Sequence, residues 1–269
     1  MKSHSIFSDS LQQTIKFDVY LTPAFGENTH QLPFLMLNDA QDMQAVQLVN
    51  TFSVLFKQNK IRNVIAISIY PNDRMQEYGT AIMPDYAKRG SEAGNYATFI
   101  IEQLIPFLQK NYRIDVKSKY NSFAGFSLGG LSALDIVWNH STIFKKVGVF
   151  SGALWWRSKP FKEDAPDDDR IIHDTFTTSE KRKGVRFWLQ TGTNDETTDR
   201  NNNGIIDAID DTLDLIKVLK KLGYKSKDIK YVEVEGGEHN PDTWAKVLPD
   251  FLVWSFGLKW YERIFRQVL

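Results

Sequence analysis

Apolar and polar residues alternate through Ile15-Lys16-Phe17-Asp18-Val19-Tyr20-Leu21, which predicts an early antiparallel strand. Thr22 to Gln31 reads as a turn-rich loop. Unbroken apolar runs at Pro33 to Leu37 and Asn63 to Ile69 predict strands buried on both faces. Gln44 to Phe56, between them, keeps helical spacing. Tyr70 to Gly94 has little periodicity, and loops of that length in a compact domain are usually functional. Tyr96, Phe99, Ile100, Leu104, Phe107 and Leu108 then mark one face of a helix.

The alternation continues to the C-terminal end. Phe123-Ala124 begins a short apolar strand, and Gly130 to Val137 is helix-like. Lys146 to Phe150 predicts the next strand. Trp156 to Thr178 is polar, carries Asp167-Asp168-Asp169, and reads as an insertion or lid. Arg186 to Gln190 is a strand; Ile209, Leu213, Ile216 and Leu219 form a helix face. Ile229 to Glu235 is the last strand, and a helix begins near Pro241. Strands alternating with helices predict a mainly parallel α/β sheet, helices on both faces, joined by right-handed crossovers. No repeat or linker interrupts the pattern, so residues 1–269 read as one domain.

Composition narrows the function classes. Apolar residues make up 42% of the 269 residues and charged residues 25%, enough for a packed core. Lysine plus arginine equals aspartate plus glutamate at 33 each, so no net field favours nucleic acid or an anionic membrane. Cysteine is absent, which removes disulfides, thiolate metal sites and cysteine nucleophiles together. No stretch approaches the roughly 20 apolar residues that span a bilayer. Met1 to Asp9 shows no apolar signal-peptide core. The expectation is a soluble, cytoplasmic protein, or an exported one if a leader has been removed; oligomeric state is not readable.

Gly125-Phe126-Ser127-Leu128-Gly129 sits between the short strand and its helix. That context makes G-x-S-x-G a nucleophile elbow, with Ser127 held above the sheet. A serine hydroxyl needs a positioned base at neutral pH. Of the histidines at 4, 30, 140, 173 and 239, only His239 follows a late strand in a glycine-bearing loop, Gly236-Gly237-Glu238-His239. His140 reads as a helix-end charge. Asp195, at the end of the strand from Arg186, is the expected third member, with Glu196 its rival. The carboxylate would orient the imidazole and stabilise the imidazolium. The oxyanion hole would use the amide of Leu128 and one from Asn38-Asp39-Ala40-Gln41-Asp42, for which Gln41 is the choice.

Asp199 to Asp210 fits a second pattern. Asp199, Asn201, Asn203, Gly204, Asp207 and Asp210 occupy positions 1, 3, 5, 6, 9 and 12 of an EF-hand-like loop, and Ile205 would offer its carbonyl. The expectation is structural calcium, with Asp211 as an alternative closing ligand. The plainer reading is a polar turn followed by acidic residues at a helix N-terminus. Zinc is disfavoured, since no histidines or cysteines accompany these oxygens.

Taken together, the stretches 38–42, Arg74-Met75-Gln76-Glu77-Tyr78, 123–131, Phe150-Ser151-Gly152-Ala153-Leu154-Trp155-Trp156, 192–196 and 236–239 resemble the putative esterase family of α/β-hydrolases. Esterase D, the enterochelin esterases and feruloyl esterase modules are its members. The resemblance spans about residues 15–256. It implies an eight-stranded α/β-hydrolase sheet and carboxylic ester hydrolysis with no organic cofactor. The substrate would be a small-molecule or glycan ester: an acylated sugar, a feruloyl ester or a siderophore ester. It also puts Trp155, Trp156, Arg74 and Tyr78 near the substrate, although core packing is an equal reading for the tryptophans, and a structural Arg74–Glu77 ion pair that fixes the loop is the favoured one for the arginine. Relatives often carry glycine where Ala40 stands, and a positive φ there would strain alanine. Two alternatives stay open: an acyltransferase on the same scaffold, and a non-catalytic, calcium-dependent binding module.

Overall fold

The computed structural model describes residues 1–22, 30–259 and 262, so most of the loop expected at Thr22 to Gln31 lies outside the described residues. The strands are β1 (Lys2–Ser8), β2 (Gln13–Leu21), β3 (Phe34–Leu37), β4 (Ile65–Ile69), β5 (Ser122–Phe126), β6 (Lys146–Phe150), β7 (Arg186–Asn194) and β8 (Ile229–Glu238). They form one sheet in the order β1-β2-β4-β3-β5-β6-β7-β8. β1 and β2 pair antiparallel, β2 meets β4 antiparallel, and every later pairing is parallel. Every residue of β3, β4, β5 and β6 is buried, as the unbroken apolar runs predict.

The helices are α1 (Leu48–Lys57), α2 (Arg74–Glu77), α3 (Ala93–Phe99), α4 (Ile105–Tyr112), α5 (Leu128–Asn139), α6 (Ile171–Thr177), α7 (Asp207–Lys221) and α8 (Pro241–Phe256). Alternate strand residues separate two apolar layers. Phe34, Met36, Phe123, Val147 and Phe187 pack with α3 to α7. Leu35, Leu37, Ala124, Phe150 and Trp188 pack with α1 and α8 on the other face. This is an α/β-hydrolase sheet with helices on both sides.

Three expectations change. The helix face from Tyr96 to Leu108 is a relay, since a π-helical turn at Ile100–Leu104 joins α3 to α4. β1 adds an edge strand that the alternation did not reveal. The polar segment 156–178 is not a free lid: Ile171, Ile172 and Phe176 of α6 are buried in the core. Its loop is braced from within. Arg170 donates to Asp211 at 2.6 Å and Asp214 at 2.9 Å, and Arg200 donates to Asp167 and Asp211, both at 2.7 Å. Asp167 therefore serves as a counter-charge to Arg200.

Candidate active site

The turn from β5 into α5 is strained. Ser127 has φ 54° and ψ −123°, a region that non-glycine residues avoid. A Cβ on Gly125 would lie 2.2 Å from the Gly129 carbonyl oxygen, so only glycine permits that approach. The Ser127 amide donates to the Phe150 carbonyl at 2.8 Å, and the Ser127 carbonyl accepts from Gly130, Leu131 and Ala153. These bonds over-determine the turn and leave the half-buried Ser127 side chain at the carboxyl end of the sheet.

Asp195 follows the bulged end of β7 and is buried. Its Oδ2 accepts from the Gly192 amide at 3.0 Å, and its Oδ1 accepts from Ser151 Oγ at 3.1 Å. Burial raises its pKa, opposed by the Gly192 amide, the Ser151 hydroxyl and the charge of His239. Glu196 points elsewhere. Thr198 Oγ1 donates to its Oε2 at 2.7 Å, and the Ala208 backbone at the start of α7 also bonds to it. Between the rivals, Asp195 is the carboxylate that feels the imidazole.

His239 lies between β8 and α8. Asn240 caps α8 by accepting from the Thr243 amide at 3.0 Å, with Pro241 in its first turn. The imidazole is exposed and meets Trp244 edge-on, 5.5 Å between ring centroids. No hydrogen bond joins it to Ser127 or Asp195, and its charge acts on Asp195 through space. Trp244 is the hub that sequence reasoning missed. It stacks on Phe126 at 4.8 Å, and its Nε1 donates to Ser151 Oγ at 3.0 Å. One indole thus touches the residue before Ser127, the support of Asp195, and His239. The Ser151 signal was there to read, in the stretch Phe150 to Trp156, but no role attached to it.

The amides of Leu128 and Gln41 donate to no acceptor among the described residues, as an oxyanion hole requires. The loop bearing Gln41 is locked to the elbow: Asn38 Nδ2 donates to the Gly129 carbonyl at 2.8 Å, and the Asn38 amide to the Ala124 carbonyl at 3.0 Å. The left-handed residue of this loop is Asp39, with φ 63°. Ala40 has no positive φ, so alanine is unstrained there.

The expected substrate residues divide. Trp155 is 40% exposed and, with Phe161, Arg157, Glu196 and Thr198, lines a cavity of about 460 Å³ beside the Asp195 loop. Trp156 is buried, its ring packed on Gly79 and Gly90, and offers no face to a ligand. Tyr78 is also buried, its hydroxyl accepting from the Asp39 amide at 3.0 Å. Arg74 pairs with Asp39 rather than with Glu77. Glu77 instead accepts from the Asn72 and Asp73 amides and from Gln13.

The 199–210 loop is closed by its own bonds. Asp199 accepts from the amides of Asn203 and Gly204, and Asn203 Oδ1 accepts from the Ile205 amide. The side-chain amides of Asn201 and Asn203 both donate to Asp210 Oδ2, at 3.0 and 2.7 Å. Asp207 accepts from the Arg200 amide, and Asp211 is held by Arg170 and Arg200. Among the described residues no group of three or more histidines or carboxylates is arranged so that it could hold a metal ion. Calcium here would require both asparagines to turn their oxygens inward and Asp210 to release both amides.

The family model described as Putative esterase matches residues 8–254. The uncharacterized protein YbbA of Bacillus subtilis (strain 168) is 23% identical over 147 residues, covering 53% of this chain and 58% of its own. The enterobactin esterase FES from Shigella flexneri superposes with a TM-score of 0.73 at 18% identity, over 94% of this chain and 58% of its own. A ferulic acid esterase structure gives a TM-score of 0.70 at 17% identity, over 95% of this chain and 97% of its own. The chain therefore spans less than two thirds of YbbA and of the Shigella esterase. Among the described residues no helix is long and apolar enough to cross a membrane.

Proposed function

This chain belongs to the Putative esterase family, and from that premise we propose that it is a serine hydrolase cleaving carboxylic esters through an acyl-enzyme. The observation that carries this reading is Ser127, strained at φ 54° on the strand-to-helix turn and followed by the unengaged Leu128 amide. His239 takes the hydroxyl proton as Ser127 attacks the ester carbonyl. Asp195, held by Ser151 and Gly192, orients the imidazole and stabilises its charged form. The Leu128 and Gln41 amides receive the oxyanion. The alcohol leaves with the proton from His239, and water releases the acid by the reverse path.

For the substrate, we propose an ester with a ring that lies against Trp155 and Phe161. Two aromatic faces beside a cavity of about 460 Å³ suit a flat acyl group or a sugar. Purified protein assayed on an ester panel tests the reading. Turnover of p-nitrophenyl acetate by the wild type, lost in Ser127→Ala, is the expected result. A folded wild type silent on every ester would favour the binding-module alternative.

A further inference from the structure

The Arg74 guanidinium makes three hydrogen bonds, and all of them fall on the segments that carry the proposed oxyanion-hole amides. Its Nε donates to Asp39 Oδ1 at 2.7 Å and its Nη2 to Asp39 Oδ2 at 3.0 Å. The same Nη2 donates to the Phe126 carbonyl at 3.2 Å. Asp39 lies two residues before Gln41, and Phe126 two residues before Leu128. One guanidinium therefore ties the Asp39 side chain to the Phe126 backbone, each two residues upstream of a donor amide. Asp73 caps the short helix that carries it, accepting from the Met75 and Gln76 amides.

The Asp39 carboxylate also accepts from Gln41 Nε2 at 3.0 Å, but Arg74 is the counter-charge it is paired with. The carboxylate is fully buried, and Gly129 lacks the side chain that would come within 2.4 Å of its Oδ2, so it rests on the first turn of α5. A lone negative charge there would oppose a second one forming on the oxyanion, in a site that screens poorly. Arg74 cancels it with a fork-to-fork pair, the geometry that a guanidinium provides and an ammonium does not. Burial works against the guanidinium's charge, and the hydrogen bonds and charge of Asp39 outweigh it.

We propose that Arg74 is a positioning residue of the oxyanion hole: it sets the spacing of the Leu128 and Gln41 amides and neutralises the carboxylate between them. The proposal rests on the serine-hydrolase reading. It moves Arg74 from substrate contact to support of the transition state, so its loss is felt in kcat and not in KM.

The test compares wild type, Arg74→Met, Arg74→Lys and the double variant Asp39→Asn/Arg74→Met, with p-nitrophenyl acetate as substrate and fluorophosphonate labelling of the wild type as control. Arg74→Met is expected to lower kcat about 100-fold with KM within about twofold. Removing the orphaned charge in the double variant returns about tenfold of that loss, and Arg74→Lys falls between the two. A kcat within about threefold of wild type in Arg74→Met, or a loss confined to KM, overturns the proposal. Should Arg74→Met fail to fold by circular dichroism, wild-type kcat in both other variants overturns it equally. A labelled, active wild type keeps the hydrolase reading intact through any of these failures, whereas an unlabelled, folded wild type removes both.

Discussion

Ser151 Oγ donates to Asp195 Oδ1 at 3.1 Å, so the carboxylate proposed to orient His239 is held from the end of the strand next to that of Ser127. The same oxygen accepts from the Trp244 indole at 3.0 Å. Ser151 itself has φ 46°, a strain that suits a residue fixed for what its side chain supports.

Replacing Ser151 by alanine leaves one oxygen of a buried carboxylate and a buried indole N–H without partners. Such orphans cost about 1–3 kcal/mol each at most. Ser151→Ala should lower the melting temperature by several degrees and kcat by about tenfold. Thermal melts and steady-state kinetics check this; unchanged values in both would show that the Trp244–Ser151–Asp195 chain carries no weight.

Asp195 and Glu196 are separable by kinetics. Asp195→Asn should lower kcat about 10²- to 10⁴-fold through loss of the imidazole's orienting charge. Glu196→Gln, whose parent faces Thr198 and α7, should stay within about threefold of wild type. The reverse ranking would move the third triad role to Glu196.

The elbow, the buried strands and the late histidine loop were legible because glycine spacing and unbroken apolar runs are local signals. β1 was not, since Lys2-Ser3-His4-Ser5 reads as polar, while the His4 ring in fact stacks on Phe17 of its pairing partner β2. The segment 156–178 read as a lid because its polar residues outnumber the buried Ile171, Ile172 and Phe176. Two of its polar residues make tertiary pairs: the buried Arg170 with Asp211 and Asp214, and the partly exposed Asp167 with Arg200. The Arg74 partner was misassigned for the same reason. Glu77 is three residues away and Asp39 thirty-five, and local spacing cannot report a pair made by tertiary structure.

Asp135 gives a pH signature. Burial on α5 raises its pKa from 3.8 to about 6, although its Oδ2 accepts from the Ala81 amide. Between those values the folded chain binds more protons than the unfolded one, so this group makes stability fall as pH rises. Its cost is complete above pH 6 and absent below 3.8. Asp135→Asn keeps an acceptor for Ala81 without the charge, and should be about 1–3 kcal/mol more stable than wild type at pH 8. The advantage should vanish near pH 4. Melting curves across that range would contradict this by showing a constant difference.

The 199–210 loop makes a thermal prediction. Its acceptors are already engaged by amides, Asn201, Asn203 and Arg200, so chelator should leave the melting temperature and activity unchanged. A rise of several degrees on adding millimolar calcium would show that the loop rearranges into the coordination set its sequence suggests.

The account depends most on Ser127 being a nucleophile activated by its neighbours. Intact-protein mass spectrometry after fluorophosphonate treatment reads this directly. The wild type should gain one adduct, mapping to Ser127, and folded Ser127→Ala should gain none, with labelling of His239→Ala slowed at least about 100-fold. An unlabelled wild type, or equal labelling of wild type and Ser127→Ala, would contradict it.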